Sequence, residues 1–457
     1  MSLPYRFLGA TLVLSWLVGC AVSEPQTHWP TPRPLAATVP TFRPSVEPSG
    51  TLPLPIEPTG ALPLQQAHAL ALMHSPKLAA FAWEVRAGEA RTLQAGLHPN
   101  PEIGVEVENI AGSGDLQGVD GTEVTVALSQ VIELGGKRQK RARVAAFERD
   151  LAAWDYETAR LDVLTEVTQA FIDVLSAQER LAVDAELVRL AEQVLRTAAA
   201  RVKAGKVSPI EETRARVARS SSRIVFERAQ RDLTVAKARL AATWGGARPA
   251  FEQAVGNLET LQTIPSAEAL ALRIEQNPDI ARWATAMAQR QATITLAEAS
   301  RTPDPTIGGG FRYLNESKDH AFVFEVSVPL PVLDRHQGHI QEARYQLAKA
   351  EAERRAAAVS VRTALAETYA ALSAAFTEAS VLRDEVLPGA QRAFEAAREG
   401  YRQGKFQFLD VLDAQRTLFE VRGQYIEAFA AYHKAVAALE RLIGEPLSTL
   451  TQPSSQP

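Results

Sequence analysis

His336 and His339 stand three residues apart near the start of a long helical stretch, a spacing that lets two imidazoles approach one metal ion. No third ligand lies in register with them, so the sequence offers a two-histidine metal candidate and not a complete site. Acids are plentiful, but they recur at helical spacing among Lys and Arg, the pattern of a solvated helix face. There is no Gly-rich phosphate loop, no nucleophile elbow and no zinc-hydrolase helix motif. An enzyme is therefore not expected, and neither is a cofactor. The net charge of −4 on 457 residues, with Lys and Arg scattered, supplies no basic field for nucleic acid.

A different chemistry is written near the amino terminus. Arg6 precedes an apolar run from Phe7 to Val18, closing on Leu17-Val18-Gly19-Cys20. The run is too short to cross a bilayer as a helix and reads as an export signal over residues 1–19. Small residues directly before a cysteine look like the lipobox of bacterial lipoproteins, where the cysteine is cut free and lipidated, so Cys20 is the expected lipidation site. It is the only cysteine, which excludes an internal disulfide or a Cys-based zinc centre; a free thiol is the competing reading. Residues 20–63 are dense in proline between Pro25 and Pro63, and proline lacks the N–H that a helix or central strand needs. They are expected to form an extended tether between the anchor and the folded body. Beyond the signal no stretch of about 18 apolar residues occurs, so any membrane span must be made of strands.

The remaining chain repeats one plan at a spacing of about 200 residues. Ser75-Pro76-Lys77-Leu78 answers to Asn277-Pro278-Asp279-Ile280, Ala204-Gly205-Lys206 to Gln403-Gly404-Lys405, and Trp244-Gly245 to Ile443-Gly444. Each half reads helix, two strands, very long helix, turn, long helix. Repeat 1 is expected over 64–262, with a β-hairpin at 102–130, long helices over 137–245 and a turn near 205–211. Repeat 2 is expected over 263–446, with a hairpin at 305–328, long helices over 338–444 and a turn near 404–413; residues 447–457 are expected to be a disordered tail.

The strands alternate strictly, as in a sheet whose two faces meet different solvents. Ile103, Val105 and Val107 oppose Glu102, Glu106 and Glu108, and Phe322, Phe324, Val326 and Val328 oppose Glu325 and Ser327. Each strand is about 9 residues, the length that crosses a bilayer at a tilt. Four strands cannot close a barrel, and in lipid an open edge leaves backbone groups unsatisfied at several kcal/mol each. Three chains would give twelve strands, an even count within the known range of such barrels. The helices match that scale: no proline or glycine occurs from Lys137 to Ala204, and about 65 residues make a rod of about 100 Å. Leu164, Val167, Phe171, Val174 and Leu181 begin a seam with 3-4 spacing. The fold class expected is mainly α with a small β part: antiparallel coiled-coil helices forming an α-barrel, and four strands per protomer in a shared barrel of a trimer.

These residues resemble the TolC family of outer-membrane factors from Leu64 to Gly444. The most specific stretch is Tyr401-Arg402-Gln403-Gly404-Lys405 followed by Phe408-Leu409-Asp410-Val411-Leu412-Asp413-Ala414. Ile132-Glu133-Leu134-Gly135-Gly136-Lys137-Arg138 and Val328-Pro329-Leu330-Pro331 are similar to the heavy-metal branch that serves cobalt, zinc and cadmium efflux. The resemblance implies the duct of a tripartite pump, working with a periplasmic adaptor and an inner-membrane transporter of the resistance-nodulation-division type. It implies a pore gate of Asp410 and Asp413, one turn apart on the helix leaving the tip. Tyr401 and Glu211 match two members of the closed-state latch; Phe406 occupies the arginine position, so Lys405 is expected to substitute or the latch is built differently. Gly205, Lys206, Gly404 and Lys405 match the adaptor-docking surface. The implied location is the outer membrane, lipid-anchored, with a large periplasmic part.

Other readings remain open. The two aspartates are equally the acids that a helix start favours. A water-soluble four-stranded sheet packed on helices explains the apolar face but leaves the lipobox without purpose. A structural coiled-coil lipoprotein would use Cys20, the tether and the seam, but not the strands. Export of drugs or other organic compounds, or type I secretion, fits the same architecture.

Overall fold

The computed structural model describes residues 31–45 and 56–451. Cys20, the signal peptide expected at 1–19, part of the expected tether and residues 452–457 lie outside the described residues. The body begins with strand β1 (Gly60–Pro63) and helices α1 (Leu64–His74) and α2 (Pro76–Ala95), followed by strands β2 (Glu102–Glu108) and β3 (Glu123–Val131). Two long helices follow, α3 (Lys137–Lys203) and α4 (Pro209–Ala242), then strand β4 (Phe251–Val255), a short α5 (Ala267–Arg273) and α6 (Pro278–Ala299). The second hairpin is β5 (Thr306–Leu314) and β6 (Asp319–Ser327); α7 (Gln337–Val381), α8 (Leu387–Arg402), α9 (Phe408–Ile443) and α10 (Ser448–Thr451) complete the order. Among the described residues no helix is long and apolar enough to cross a membrane.

At 67 residues, α3 is about 100 Å long. Its first turn is basic and holds no acid, an arrangement the helix dipole disfavours. The neighbouring chain offsets this, with Asp304 2.7 Å from Lys137 and Glu133 2.6 Å from Arg141. Gly135 and Gly136, both at positive φ, turn the chain from β3 into the helix where a side chain would be strained. A proline inside a helix ordinarily breaks it, yet α7 and α8 run on past Pro388 through a π-helical turn at Leu382–Val386. One extra residue in that turn spares the bond that proline cannot donate and removes the clash of its ring.

The core is densest where α1, α2, α3, α4 and α9 meet, around the fully buried Leu72, Leu78, Val167, Leu240, Trp244 and Phe429. Burying each such side chain contributes about 1.5–3 kcal/mol. A second cluster joins α5, α7 and α9 through Leu270, Leu372, Tyr432 and Leu439. The seam read from the sequence is fully buried from Leu164 to Val174 and only half-buried from Leu181 onward, because toward the turns fewer helices overlie it.

Two expectations are corrected. The tether at 20–63 is not free along its described part. Leu35, Val39 and Phe42 pack on the main core, and the Arg160 guanidinium donates to the carbonyls of Arg33 and Leu35 while Glu157 accepts the N–H of Arg33. The apolar positions between the prolines make docking favourable, and the buried Glu157–Arg160 pair satisfies backbone that proline leaves unpaired. Residues 60–63, read as tether, form β1, paired in parallel with β4; proline tolerates such an edge strand. The tail expected to be disordered from 447 starts with Leu447, fully buried in the second cluster, followed by the helical turn Ser448–Thr451.

The four longer strands form one antiparallel sheet in the order β2-β3-β5-β6. The register places Glu106, Thr125, Arg312 and Ala321 in one cross-strand row and Val105, Val126, Phe311 and Phe322 in the next. Side chains alternate across a strand, so one face is apolar and the other polar. On the apolar face Ile103, Val105, Phe311, Phe322 and Phe324 are exposed. The Gly310 position has its ideal Cβ 2.2 Å from the Val126 carbonyl, so only glycine lets β5 approach β3 there.

Candidate functional site

The residues singled out from the sequence converge on two turns, α3 to α4 and α8 to α9. In the first, Gly205 has φ +65° and the N–H groups of Gly205 and Lys206 donate to the carbonyls of Val202 and Arg201. In the second, Gly404 has φ +77° and the N–H groups of Gly404 and Lys405 donate to Tyr401 and Gly400. Both are left-handed glycine caps that satisfy the orphan carbonyls of a helix end. Nothing lies within 4 Å of where a Cβ would stand on either glycine, so backbone conformation alone demands glycine. Lys206 and Lys405 are exposed beside them.

The outgoing helices start with acids at equivalent places. Ser208 caps α4, its hydroxyl accepting the N–H of Ile210, and Glu211 sits in the first turn. Gln407 caps α9 in a capping box, with the Asp410 carboxylate accepting the Gln407 N–H at 2.8 Å. Asp410 thus has a structural partner. Asp413, one turn on, accepts from Arg416 at 2.6 Å. Both aspartates line a groove of about 820 Å³ shared with Arg180, Asp184 and Phe419. Burial pushes the Asp184 carboxyl up against the opposing pull of Arg180.

The structure brings Tyr401 and Glu211 together: the Tyr401 hydroxyl donates to Glu211 Oε2 at 3.3 Å. Arg201 joins this contact, its guanidinium 4.4 Å from the centre of the Tyr401 ring. Burial pushes the Tyr401 hydroxyl's pKa up, against the pull of Arg201. Sequence reading missed Arg201; the signal available was its place about one turn before Gly205, next to Val202, the counterpart of Tyr401 in the other turn. Among the described residues Lys405 makes no ion pair or side-chain hydrogen bond within the protomer. Phe406 folds back over Gly400, where an added Cβ would stand 2.3 Å from the ring. Phe408 fills the space behind Tyr401, with ring centroids 5.8 Å apart, and packs on Ala198 and Ala215.

Far from these turns, the Nδ1 atoms of His336 and His339 are 3.4 Å apart at the start of α7. On the polar face of the sheet Arg312 pairs with Glu123 at 2.8 Å and Glu108 at 3.0 Å. Around the tips Asp410 is engaged in a cap, Asp413 in an ion pair and Tyr401 in a bond between helices, while Lys206 and Lys405 stay exposed. Such an arrangement can hold helices together and present charge.

Residues 68–246 and 270–445 match the outer membrane efflux protein family. The chain is 35% identical over 382 residues to the cobalt-zinc-cadmium resistance protein CzcC of Cupriavidus metallidurans, covering 83% of this chain and 90% of that protein. Its fold is similar to a membrane protein from Pseudomonas aeruginosa, with a TM-score of 0.72 at 21% identity over 84% of this chain and 90% of that one. It is also similar to the CmeC outer membrane channel of Campylobacter jejuni, with a TM-score of 0.69 at 17% identity over 85% and 88%. With the long helices, the open sheet and the two glycine-capped turns, these matches show that the chain belongs to the outer membrane efflux protein family, the TolC-like channels, and is not an enzyme.

Proposed function

We propose that three copies close a twelve-stranded barrel in the outer membrane, continued by an α-barrel into the periplasm, and conduct heavy-metal cations outward. The observation that carries this reading is the open sheet. Its outer strands, β2 and β6, run in opposite directions through three antiparallel pairings, so β6 of one copy can pair with β2 of the next without changing the pattern. Closure satisfies the edge backbone groups that lipid would leave unpaired and gives the exposed apolar face a lipid surface to cover it. The polar face then lines the pore. Per copy it carries Glu102, Glu106, Glu108, Glu123, Asp319 and Glu325 against the single Arg312, an acidic lumen that concentrates cations.

In this reading Tyr401, Glu211 and Arg201 hold the periplasmic mouth, Asp410 and Asp413 ring it, and Gly205, Lys206, Gly404 and Lys405 receive the adaptor. The inner-membrane resistance-nodulation-division transporter selects the cargo, and a lipidated Cys20 fixes the chain to the membrane. CzcC, a cobalt-zinc-cadmium resistance protein, supports metal cations as that cargo. The test is deletion of the gene: sensitivity to zinc, cobalt or cadmium is expected. Unchanged metal tolerance with new sensitivity to drugs would refute the metal assignment and favour organic substrates.

A further inference from the structure

We propose that His336 and His339 form a weak binding site for a borderline divalent cation such as Zn²⁺ or Co²⁺, at the junction of β6 and α7. The two ring centroids are 5.7 Å apart and the two Nδ1 atoms 3.4 Å, so the nitrogens occupy the facing edges of the rings. A direct N–H···N bond of that length is long, since ordinary hydrogen bonds from nitrogen span about 2.7–3.2 Å. Two nitrogens each about 2.0–2.1 Å from a tetrahedral ion are instead about 3.3–3.4 Å apart. The observed separation therefore matches the bite of a tetrahedral chelate.

The backbone sets this spacing. His336 caps α7 with φ +56°, a left-handed conformation that a non-glycine residue rarely adopts. Its N–H donates to Asp334 Oδ1 at 2.8 Å, and the N–H of Arg335 donates to Gln337 Oε1 at 2.8 Å. These bonds hold the turn, and His339, one helical turn on, presents the second nitrogen on the same side. Glu342 lines the same groove of about 500 Å³, together with Arg290 and Ser300. No group of three or more His, Cys, Asp or Glu placed to hold a metal occurs among the described residues, so the protein supplies two nitrogens and water completes the shell. Arg290 and the positive end of α7 oppose a cation. Both features make the site weak and exchangeable, and imidazole selects borderline metals over Mg²⁺ and Ca²⁺. The site follows from the histidine geometry and stands whatever cargo the channel exports.

The experiment is titration of the full chain, purified in detergent without a histidine tag, with Co²⁺ and separately with Zn²⁺. Visible absorption of tetrahedral cobalt and calorimetry are the readouts. The expected result is saturable binding near one ion per chain, displaced by Zn²⁺ but not by Mg²⁺, and lost in His336→Ala and in His339→Ala. Binding unchanged in both variants, octahedral cobalt spectra, or no saturable binding in the parent chain would each overturn the proposal. Assembly checked on a gel separates lost binding from lost folding, and His339→Gln, which keeps the helix, provides a second variant.

Discussion

Replacing Tyr401 by Phe deletes one hydroxyl and leaves the ring under Arg201, so it isolates the bond that ties α8 to the start of α4. That bond is 3.3 Å long and ends on a carboxylate. Its length puts it below the range of about 1.5–3 kcal/mol for bonds to charged groups, so about 1 kcal/mol per protomer is lost. If three tips open together the contributions add to about 3 kcal/mol, on the order of a hundredfold in the opening equilibrium. Arg201→Gln removes the cation from the same ring and is expected to act in the same direction. Lys405→Ala is expected to leave the equilibrium unchanged, because the Lys405 side chain makes no hydrogen bond or ion pair with Tyr401 or Glu211. The assay is single-channel recording in planar bilayers, supported by uptake of a bulky antibiotic in cells carrying each variant. A Tyr401→Phe channel with the parent's open probability, or a Lys405→Ala channel that opens as readily as the Tyr401 variant, would refute the assignment of this contact as the latch.

Asp410 both caps α9 and carries charge, and two substitutions separate these roles. Asp410→Ala is expected to cost about 1 kcal/mol of tip stability and to reduce cation selectivity, while Asp410→Asn keeps an acceptor for the Gln407 N–H and reduces selectivity alone; identical reversal potentials in all three proteins would exclude a gate role. Arg416→Ala frees Asp413 from its 2.6 Å partner and should raise cation selectivity; no change in reversal potential would count against Asp413 facing the pore. Burial pushes the His68 imidazole down to about 4, whereas the unfolded chain takes up that proton near pH 6.5. The unfolded state therefore binds more protons between about pH 6.5 and 4, and stability falls across that window as pH drops, by up to about 3 kcal/mol. Thermal melts of His68→Gln should show a flatter acid limb, and an unaltered limb would remove His68 as its cause. Arg160→Ala leaves Glu157 buried and unpaired and frees the carbonyls of Arg33 and Leu35, a loss of about 3–5 kcal/mol; limited proteolysis should then cut within residues 33–45, and parent-like resistance would contradict the docking role.

The long helices, strand pairs and both glycine turns were legible because each depends on local pattern. Alternation in Ile103 to Val107 and the absence of glycine and proline across α3 act within one element, and a φ near +70° names glycine by itself. What escaped depends on distant partners. The docking of Leu35, Val39 and Phe42 needs Glu157 and Arg160, which bond Arg33 and Leu35 across more than 120 residues, and a proline-rich segment carries no period to announce it. Arg201 was invisible for the same reason, since its partner Tyr401 belongs to another helix hairpin. Asp410 was legible as a charge, yet the capping box that occupies it depends on Gln407, a less usual cap than Ser or Asp. The run from Gln337 to Arg402 passed Pro388 because a single π turn absorbs the misfit, which local propensity alone does not foresee.

The distribution of the core explains why so few polar contacts can hold the tips. Near α1, α2 and β4 the helices bury whole side chains such as Trp244 and Phe429, and the docked segment at 33–45 covers them further. Toward the turns the buried apolar residues of α3 dwindle to Ala191 and Ala198 and those of α8 to Phe394 and Ala397, while α9 still buries Phe408, Val411 and Leu418. Alanine burial contributes little, so local opening costs least there. A contact of about 1 kcal/mol is a small part of the extensive side-chain burial in the main core; near the tips, where Phe394, Phe408, Val411 and Leu418 are the main buried side chains, it is a larger share. If the mouth opens at these turns as proposed, the sheet and central core can stay intact, so that opening does not release the membrane end.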